Sequence, residues 1–465
     1  MSHHDLVVIG GGPAGYAAAL YGAAAGLDVA LVERHKLGGT CLNVGCIPAK
    51  ELLETATVYR TIQHASDFGI TTSEPVVDFS VSQQRKQKII DTLVGGLGSL
   101  LKSRKVTVFD GNGSLVAGRT VHVRGGSSGG VDLTGDAVLL ASGSSPRTLP
   151  GFDIDGKVVV TSDELLSINT IPDSVAIVGG GAIGCEFASM LLDMGSDVTL
   201  FEYMSRLCVG ADEDCSKVIE RSFKRRGMNI KTGVGVNGHE PQPGGGTRVL
   251  FGEGESVDVD LVVMSVGRAP VTHGLGLAAT AVQVDERGFI QVNQQLETAE
   301  PGVYAAGDVI DSAQLAHIAF AEGMQIIRQL LGEPAPPIDY HNVPWCIYSH
   351  PEIAFAGLTE QQAIEAGYDV IVDKHRFASN GRAMITGDTE GLVKIVAEKN
   401  SAGTGGRILG VHMIGPWVTE QLGQGYLAVN WEASVDEVAA FIQPHPTISE
   451  TFGETVLALT GRGLH

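Results

Sequence analysis

The sequence predicts an α/β chain: two copies of a strand–glycine turn–helix–strand unit, followed by a separate α+β block. Three observations carry that reading. An apolar run, DLVVIG, leads into GGGPAG and an alanine-rich stretch to about Ala25, and VALVE then ends at Glu33. The same order returns in SVAIVG, GGAIGCEFASMLLDMG and DVTLFE, which ends at Glu202. In both copies the acid falls 23 residues after the first glycine. A proline-rich stretch, GEPAPPIDY at 332–340, then separates a last block of about 125 residues in which apolar strands precede helices.

The composition fits this plan. A chain of 465 residues suggests about three domains and needs no disulfide scaffold. Its 62 glycines are nearly twice the usual share of about 7%. They follow no fixed period, so they mark turns and close backbone approaches. The net charge of −21 argues against nucleic acid and against an anionic membrane surface. It leaves open whether the acidity serves solubility or a basic protein partner. No run of about 18 apolar residues reads as a membrane span. The glycine-rich N-terminal stretch lacks the basic start of a signal peptide. Six cysteines are few for a secreted scaffold, which points to a reducing, cytoplasmic setting.

Smaller boundaries follow from turn chemistry. GGSSGG at 125–130 reads as a turn between strands, and LLASGSSPRTLPG around 139–151 as a domain exit. Residues 241–246 read as a loop inside the second unit. The resulting division is 1–150, 151–270, 271–341 and 342–465.

Gly10, Gly12 and Gly15 form the first G-x-G-x-x-G, set between a strand and a helix. Such glycines let a pyrophosphate approach the helix N-terminus, while Glu33 can bind ribose hydroxyls. Gly179, Gly181 and Gly184 repeat the pattern, closed by Glu202. These are two Rossmann-like dinucleotide-binding domains. Glu202 would repel a 2′-phosphate, which favours NAD over NADP. Arg206, the one basic residue near enough to blur that preference, is expected to be an ordinary solvated side chain.

Between the fingerprints lies GGTCLNVGCIPAKELLE. Cys41 and Cys46 are five apart, a rise of about 7.5 Å on a straight helix, beyond comfortable disulfide reach. Asn43 and Gly45 can distort that turn. The pair suits redox work beside a nucleotide site, with two structural thiols as the alternative. Lys50 lies one helical turn after Cys46, able to bring charge to it or to pair with Glu54. In QPHPTISETFGE, His445 is the proton-transfer candidate and Glu450 can orient its ring. The competing reading makes Thr447 and Glu450 a capping box at a helix start. Gly307 and Asp308 end a short strand in PGVYAAGDV, where a carboxylate could bind a sugar hydroxyl. Cys185, Cys208, Cys215 and Cys346 fit no metal-ligand spacing; they are expected to be structural, with no metal site.

GGTCLNVGCIPAK, GGGAIGCEFAS, VGRAP, VYAAGDV, QLAH, YSHPEIAFAG, GRAMITGDTEGLVK and HPTISE together resemble the flavoprotein disulfide reductases, specifically their dihydrolipoamide dehydrogenase branch. The resemblance covers essentially the whole chain. It implies FAD on the first domain and NAD on the second. It further implies a central domain completing the flavin site and a C-terminal dimerisation domain making a homodimer. Cys41 would be the interchange thiol and Cys46 the thiol against the flavin. Lys50 and Glu186 would pair near flavin and nicotinamide. Asp308 would hold the ribityl chain, with Ala316 and His317 near the ring. Gly39, Thr40 and Gly143 would approach the flavin, and Gly267 the nucleotide cleft. His445, reaching across the dimer, would be the base oriented by Glu450. The implied partner is a lipoyl-bearing protein of a 2-oxoacid dehydrogenase or glycine cleavage complex.

The chain departs from the pattern at Gln443-Pro444, where His-Ala is common, at Ala49 for serine and at Trp417 for glycine. A glutathione- or mycothiol-type reductase is the nearest alternative, and Glu202 speaks against its usual NADPH. A mercuric reductase would carry C-terminal cysteines, and a transhydrogenase would lack the redox pair. A scaffold without turnover should have lost some of the six residues Cys41, Cys46, Lys50, Glu186, His445 and Glu450.

Overall fold

Each repeat folds as a parallel βαβ unit. The computed structural model describes residues 2–464. In the first sheet, strand Ser2–Ile9 lies between the parallel strands Val29–Glu33 and Val131–Leu140, and Thr107–Asp110 forms one edge. Leu6 to Ile9, Ala30 to Val32 and Ala137 to Leu140 are all buried. A strand covered on both faces reads as a continuous apolar run, which is what the sequence has there. The far edge of Val131–Leu140 is shared. Its first half pairs antiparallel with Thr120–Arg124, and its last three residues pair parallel with Val303–Ala305. Segment 271–341 thereby adds a strand to the first sheet. It also adds the helix Ala316–Leu330, which packs on the first-repeat helix Pro13–Ala24. A Cβ at Gly323 would stand 2.5 Å from the Ala14 carbonyl oxygen, so only glycine permits that crossing.

The second sheet is wholly parallel, in the order Asn229–Thr232, Asp197–Glu202, Ser174–Val178, Leu261–Met264, Val159–Thr161. A three-stranded antiparallel meander spans Val236–Pro241 to Glu255–Val259. Pro241 therefore ends a strand instead of opening the loop. The chain crosses between the two sheets along a short ribbon, Ser144–Pro146 against Arg268–Pro270. The last block is a five-stranded antiparallel sheet from Trp345–Ile347 to Gly405–Gly415, with helices Val418–Asn430 and Glu450–Ala458 on it. Trp417 adopts φ +52°, the left-handed region that favours glycine.

One core cluster ties the second sheet and the last sheet to the thiol segment. Ala49, Leu52, Leu53 and Ala56, on helix Cys46–Gln63, share it with Phe187 and Leu191 of helix Ala182–Asp193. Ile347, Ile353, Leu392 and Ile414 of the last sheet join the same cluster. Full burial of a leucine side chain contributes about 1.5–3 kcal/mol, so this packing fixes the helix firmly against its neighbours.

Candidate active site

The two glycine turns superpose in function as well as in order. A Cβ at Gly15 would stand 1.8 Å from the Gly10 carbonyl oxygen, and one at Gly184 would stand 1.8 Å from that of Gly179. Gly10 and Gly179 have φ of +109° and +108°. Thus Gly10, Gly15 and Gly184 shape the turns from behind, whereas Gly12, Gly179 and Gly181 face the cavity. The helices Pro13–Ala24 and Ala182–Asp193 begin at Gly12 and Gly181 with no side-chain cap and no acid in the first turn. Their free N–H groups and positive dipole ends suit a pyrophosphate. Glu33 accepts from the Gly11 and His35 N–H groups at 2.7 Å each. Glu202 accepts from the Gly180 and Met204 N–H groups at the same distance. Both carboxylates are thus aimed by backbone at the cavity rim, where a ribose fits.

Arg206 is not solvated. Its guanidinium donates to the Ala211 and Val209 carbonyls and to Ser216 Oγ, so it braces the loop after Glu202 and faces no 2′-phosphate.

The thiol segment is a broken helix. A short turn, Gly39–Asn43, ends where Asn43 Nδ2 donates back to the Leu37 and Gly39 carbonyls. The chain restarts as helix Cys46–Gln63. A Cβ at Gly45 would come within 2.9 Å of the Thr40 carbonyl oxygen, so the break needs glycine. It brings the two thiols close enough for each to govern the other's ionisation. That proximity lowers the Cys46 pKa to about 7, against the opposing effect of burial and with help from Lys50. Donation to Cys46, reinforced by burial, pushes Cys41 far up. Lys50 Nζ donates to both Glu186 carboxylate oxygens at 2.8 Å, not to Glu54. Its ammonium also stands 4.9 Å over the Tyr348 ring, and the Tyr348 backbone N–H donates to Glu186 Oε1.

Asp308 lines the cavity and accepts from Ser144 Oγ at 2.5 Å. Arg268 donates to that same hydroxyl and to the Ser144 carbonyl. Behind Asp308, the fully buried Glu322 accepts from the Gly307 N–H at 2.6 Å and from Tyr340 Oη at 2.8 Å. Arg268, Ser144 and Glu322 went unread in the sequence because their partners are distant along the chain. Tyr16 does not line the cavity but feels the thiols. Burial first, then the charges of Cys41 and Cys46, push its phenol up to about 12.

One cavity of about 1650 Å³ takes in both turns and the thiols. It exceeds the 300–1,000 Å³ usual for a single small ligand and fits two dinucleotides. Gly12, Glu33, Gly39, Thr40, Cys41, Cys46, Lys50, Gly143, Gly179, Gly181, Glu186, Glu202, Gly267, Asp308 and Ala316 line it. Cys346 lines it too, so it is no buried structural thiol. His317 does not line it; its ring bonds the Pro344 carbonyl instead.

His445 and Glu450 lie outside this chain's own cavity. The His445 side chain is 80% exposed, with Nδ1 2.8 Å from Glu450 Oε1. Glu450 Oε2 accepts from the Thr447 N–H at 2.7 Å. The capping box is not formed: the helix starts at Glu450, after an uncapped Ser449, and the Thr447 hydroxyl turns back to the Pro444 carbonyl. Among the described residues no His, Cys, Asp and Glu cluster could hold a metal, and no helix is long and apolar enough to cross a membrane.

Two nucleotide cradles opening on one thiol pair define an oxidoreductase that carries electrons between a pyridine nucleotide and a disulfide through a flavin. The chain belongs to the pyridine nucleotide-disulphide oxidoreductase family, which matches residues 4–323, with the family's dimerisation domain at 343–456. FAD and NAD(H) are its cofactors. It is 41% identical to a dihydrolipoyl dehydrogenase of Bacillus subtilis (strain 168), over all of this chain and 99% of the relative. It is 36% identical to the mitochondrial dihydrolipoyl dehydrogenase of Pisum sativum, over 99% of this chain and 92% of the relative. Among solved structures, LpdA from Mycobacterium tuberculosis superposes with a TM-score of 0.92 at 25% identity, covering 99% of this chain and all of that one.

Proposed function

We propose that this chain is a dihydrolipoyl dehydrogenase: it oxidises the dihydrolipoyl group of a partner protein and passes the electrons to NAD⁺. The observation that carries this reading is the Cys41–Cys46 pair, set on a broken helix between two uncapped glycine turns, with Lys50 locked to Glu186 beside it. Its relatives' names point the same way. When bound, the flavin relays an electron pair from the thiols to the nicotinamide as hydride.

The chain's own residues manage thiols and protons. In the oxidised enzyme Cys41 and Cys46 are joined. His445 of the partner subunit takes a proton from one substrate thiol, and the thiolate attacks Cys41 Sγ. The Cys41–Cys46 bond breaks, and Cys46 leaves as a thiolate, the form its lowered pKa favours. The second substrate thiolate attacks its own mixed disulfide and closes the lipoyl ring. Cys41 departs and takes up a proton, consistent with its raised pKa. Glu450 keeps Nδ1 of the ring protonated, so that Nε2 is the free base. Because His445 sits outside its own cavity, this route needs two chains, and the dimerisation domain supports a homodimer.

Arg34, His35 and Lys36 border the first cradle, and Glu202 with Tyr203 the second. Accordingly FAD is assigned to residues 1–150 with 271–341, NAD to 151–270, and the dimer contact to 342–465. The lipoyl-bearing partner belongs to a 2-oxoacid dehydrogenase or glycine cleavage complex, in the cytoplasm. A panel of dihydrolipoamide with NAD⁺, and of glutathione disulfide and mycothiol disulfide with NADH or NADPH, tests the reading. Turnover with dihydrolipoamide and NAD⁺ is expected. Faster reduction of either disulfide by NADPH would overturn both the substrate and the role of Glu202.

A further inference from the structure

Two thiols that the reaction does not use touch each other. Cys185 lies on helix Ala182–Asp193, and Cys208 in the irregular loop between Asp197–Glu202 and Glu213–Arg225. Their Sγ atoms are 3.5 Å apart, and the residues are 0% and 4% exposed. Both close on one backbone oxygen. The Cys208 N–H donates to the Gly180 carbonyl at 2.9 Å, and the Cys185 thiol donates to it at 3.3 Å. Gly180 is the residue whose N–H aims Glu202, between the two glycines that face the cavity. The thiol pair is therefore built onto the back of the second nucleotide turn.

We propose that Cys185 and Cys208 form a second, reversible disulfide that loosens the NAD(H) site when a hydroperoxide oxidises the protein. The loop permits it. Its residues Tyr203, Met204 and Val209 are exposed, so Cys208 lies just under the surface, whereas Cys185 is fully buried on its helix. Cys208 is therefore the sulfur that meets the oxidant, and Cys185 is the one that resolves it. The Cys208 thiol and the hydroperoxide give a sulfenic acid and water, or an alcohol from an organic peroxide. The Cys185 thiol then displaces the sulfenic oxygen as a second water, and the S–S bond forms. Two thiols are oxidised and one peroxide O–O bond is reduced. Bonding draws the sulfurs together to roughly 2 Å, and it removes the Cys185 donor from the Gly180 carbonyl. A low-molecular-weight thiol reverses the bond by exchange.

This inference does not depend on which dithiol or disulfide the enzyme turns over. The holoenzyme is treated with hydrogen peroxide, alkylated and cleaved after acidic residues, so that the cut after Glu213 separates Cys208 from Cys215. ADP-ribose, which carries no hydride, reports the nucleotide site by calorimetry. A peptide joining Cys185 to Cys208 is expected, with ADP-ribose Kd raised at least about fivefold and restored by dithiothreitol. Cys208→Ser should bind ADP-ribose normally before treatment and show no change after it. Cys185→Ser is the second variant, with the same expectation should the first fail to fold. Absence of the linked peptide, a Cys208–Cys215 link in its place, or a Cys185–Cys208 link with unchanged Kd would each overturn the proposal.

Discussion

Glu450→Gln tests the base and its orienting carboxylate together. In the native chain one carboxylate oxygen takes the Thr447 N–H at 2.7 Å, and the other meets His445 Nδ1 at 2.8 Å. Both neighbours are donors when Nδ1 carries the ring proton. Glutamine offers one acceptor and one NH₂. If its oxygen stays with Thr447, the NH₂ faces Nδ1, and the imidazole must move its proton to Nε2, where it can no longer accept one from a thiol. If the oxygen turns to Nδ1, the NH₂ meets the Thr447 N–H donor to donor. In either case the ring loses the charge that stabilises imidazolium. A hydrogen bond to a charged group contributes about 1.5–3 kcal/mol, a rate loss of roughly 10- to 150-fold. Full loss of the base sets the ceiling at about 10²–10⁴. The assay is steady-state dihydrolipoamide oxidation with NAD⁺, run beside NADH oxidation by an artificial acceptor that bypasses the thiols. Dithiol turnover should fall by at least about tenfold while the bypass reaction and Tm hold. Near-native dithiol turnover would refute the orienting role, and a matching fall in both reactions would locate the damage elsewhere.

Removing the Cys41 donor should raise the Cys46 pKa. In the reduced enzyme the Cys46 thiolate is expected to give a long-wavelength absorption against the flavin that grows as pH rises through about 7. In Cys41→Ala the midpoint should move toward the ordinary thiol value of about 8.5, whereas an unmoved midpoint would deny the contact. Gly15→Ala and Gly184→Ala each drive a Cβ into a carbonyl oxygen 1.8 Å away. The first should strip flavin from the purified protein. The second should keep flavin but lose ADP-ribose binding, and equal defects would contradict two separate sites. Lys394 is buried against Asp212, Asp214 and Glu360 at 2.9, 2.8 and 2.7 Å. Lys394→Met should cost about 3–5 kcal/mol in denaturant unfolding near neutral pH. The pH slope should also invert. Burial opposes ionisation of Asp212 and Asp214, but their partners, His412 and Lys394 for the first and Lys394 for the second, hold both pKa values below the usual range. Native stability from these groups is therefore full above that range and lost as pH falls through it. Without the cation, burial wins and acid should stabilise the variant.

Much of this site could be read because its residues lie close together in sequence. The glycine turns, the broken helix and Lys50 each depend on neighbours within a few positions. Long-range partners could not be read that way. Arg268 is held through Ser144, 124 residues away, and the Lys50–Glu186 pair, 136 residues apart, is reached only through the family resemblance. The helix Phe79–Ser103 is equally hard to read, because Gly95, Gly96 and Gly98 interrupt its second half. Each glycine disfavours a helix by about 1 kcal/mol, yet burial of Phe79, Ile90, Leu97 and Leu101 on one face outweighs them. At Thr447 the T-x-x-E pattern was half right: Glu450 takes the Thr447 N–H, but the Thr447 hydroxyl turns to the Pro444 carbonyl and the helix begins three residues later.

The core shared by helix Cys46–Gln63 and the last sheet has a consequence for how the chain is made. Ala49 to Ala56 leave the ribosome early, but Ile347, Ile353, Leu392 and Ile414, which cover them, follow some three hundred residues later. At about 5–20 residues per second that is an interval of roughly 15–75 s. Throughout it the nascent chain carries Cys41 and Cys46 beside a core that Phe187 and Leu191 have begun and the last sheet has not yet completed. Newly made protein is then open to wrong thiol pairing and to chaperones in a way the finished enzyme is not, and the reducing setting expected for this chain protects it most during synthesis.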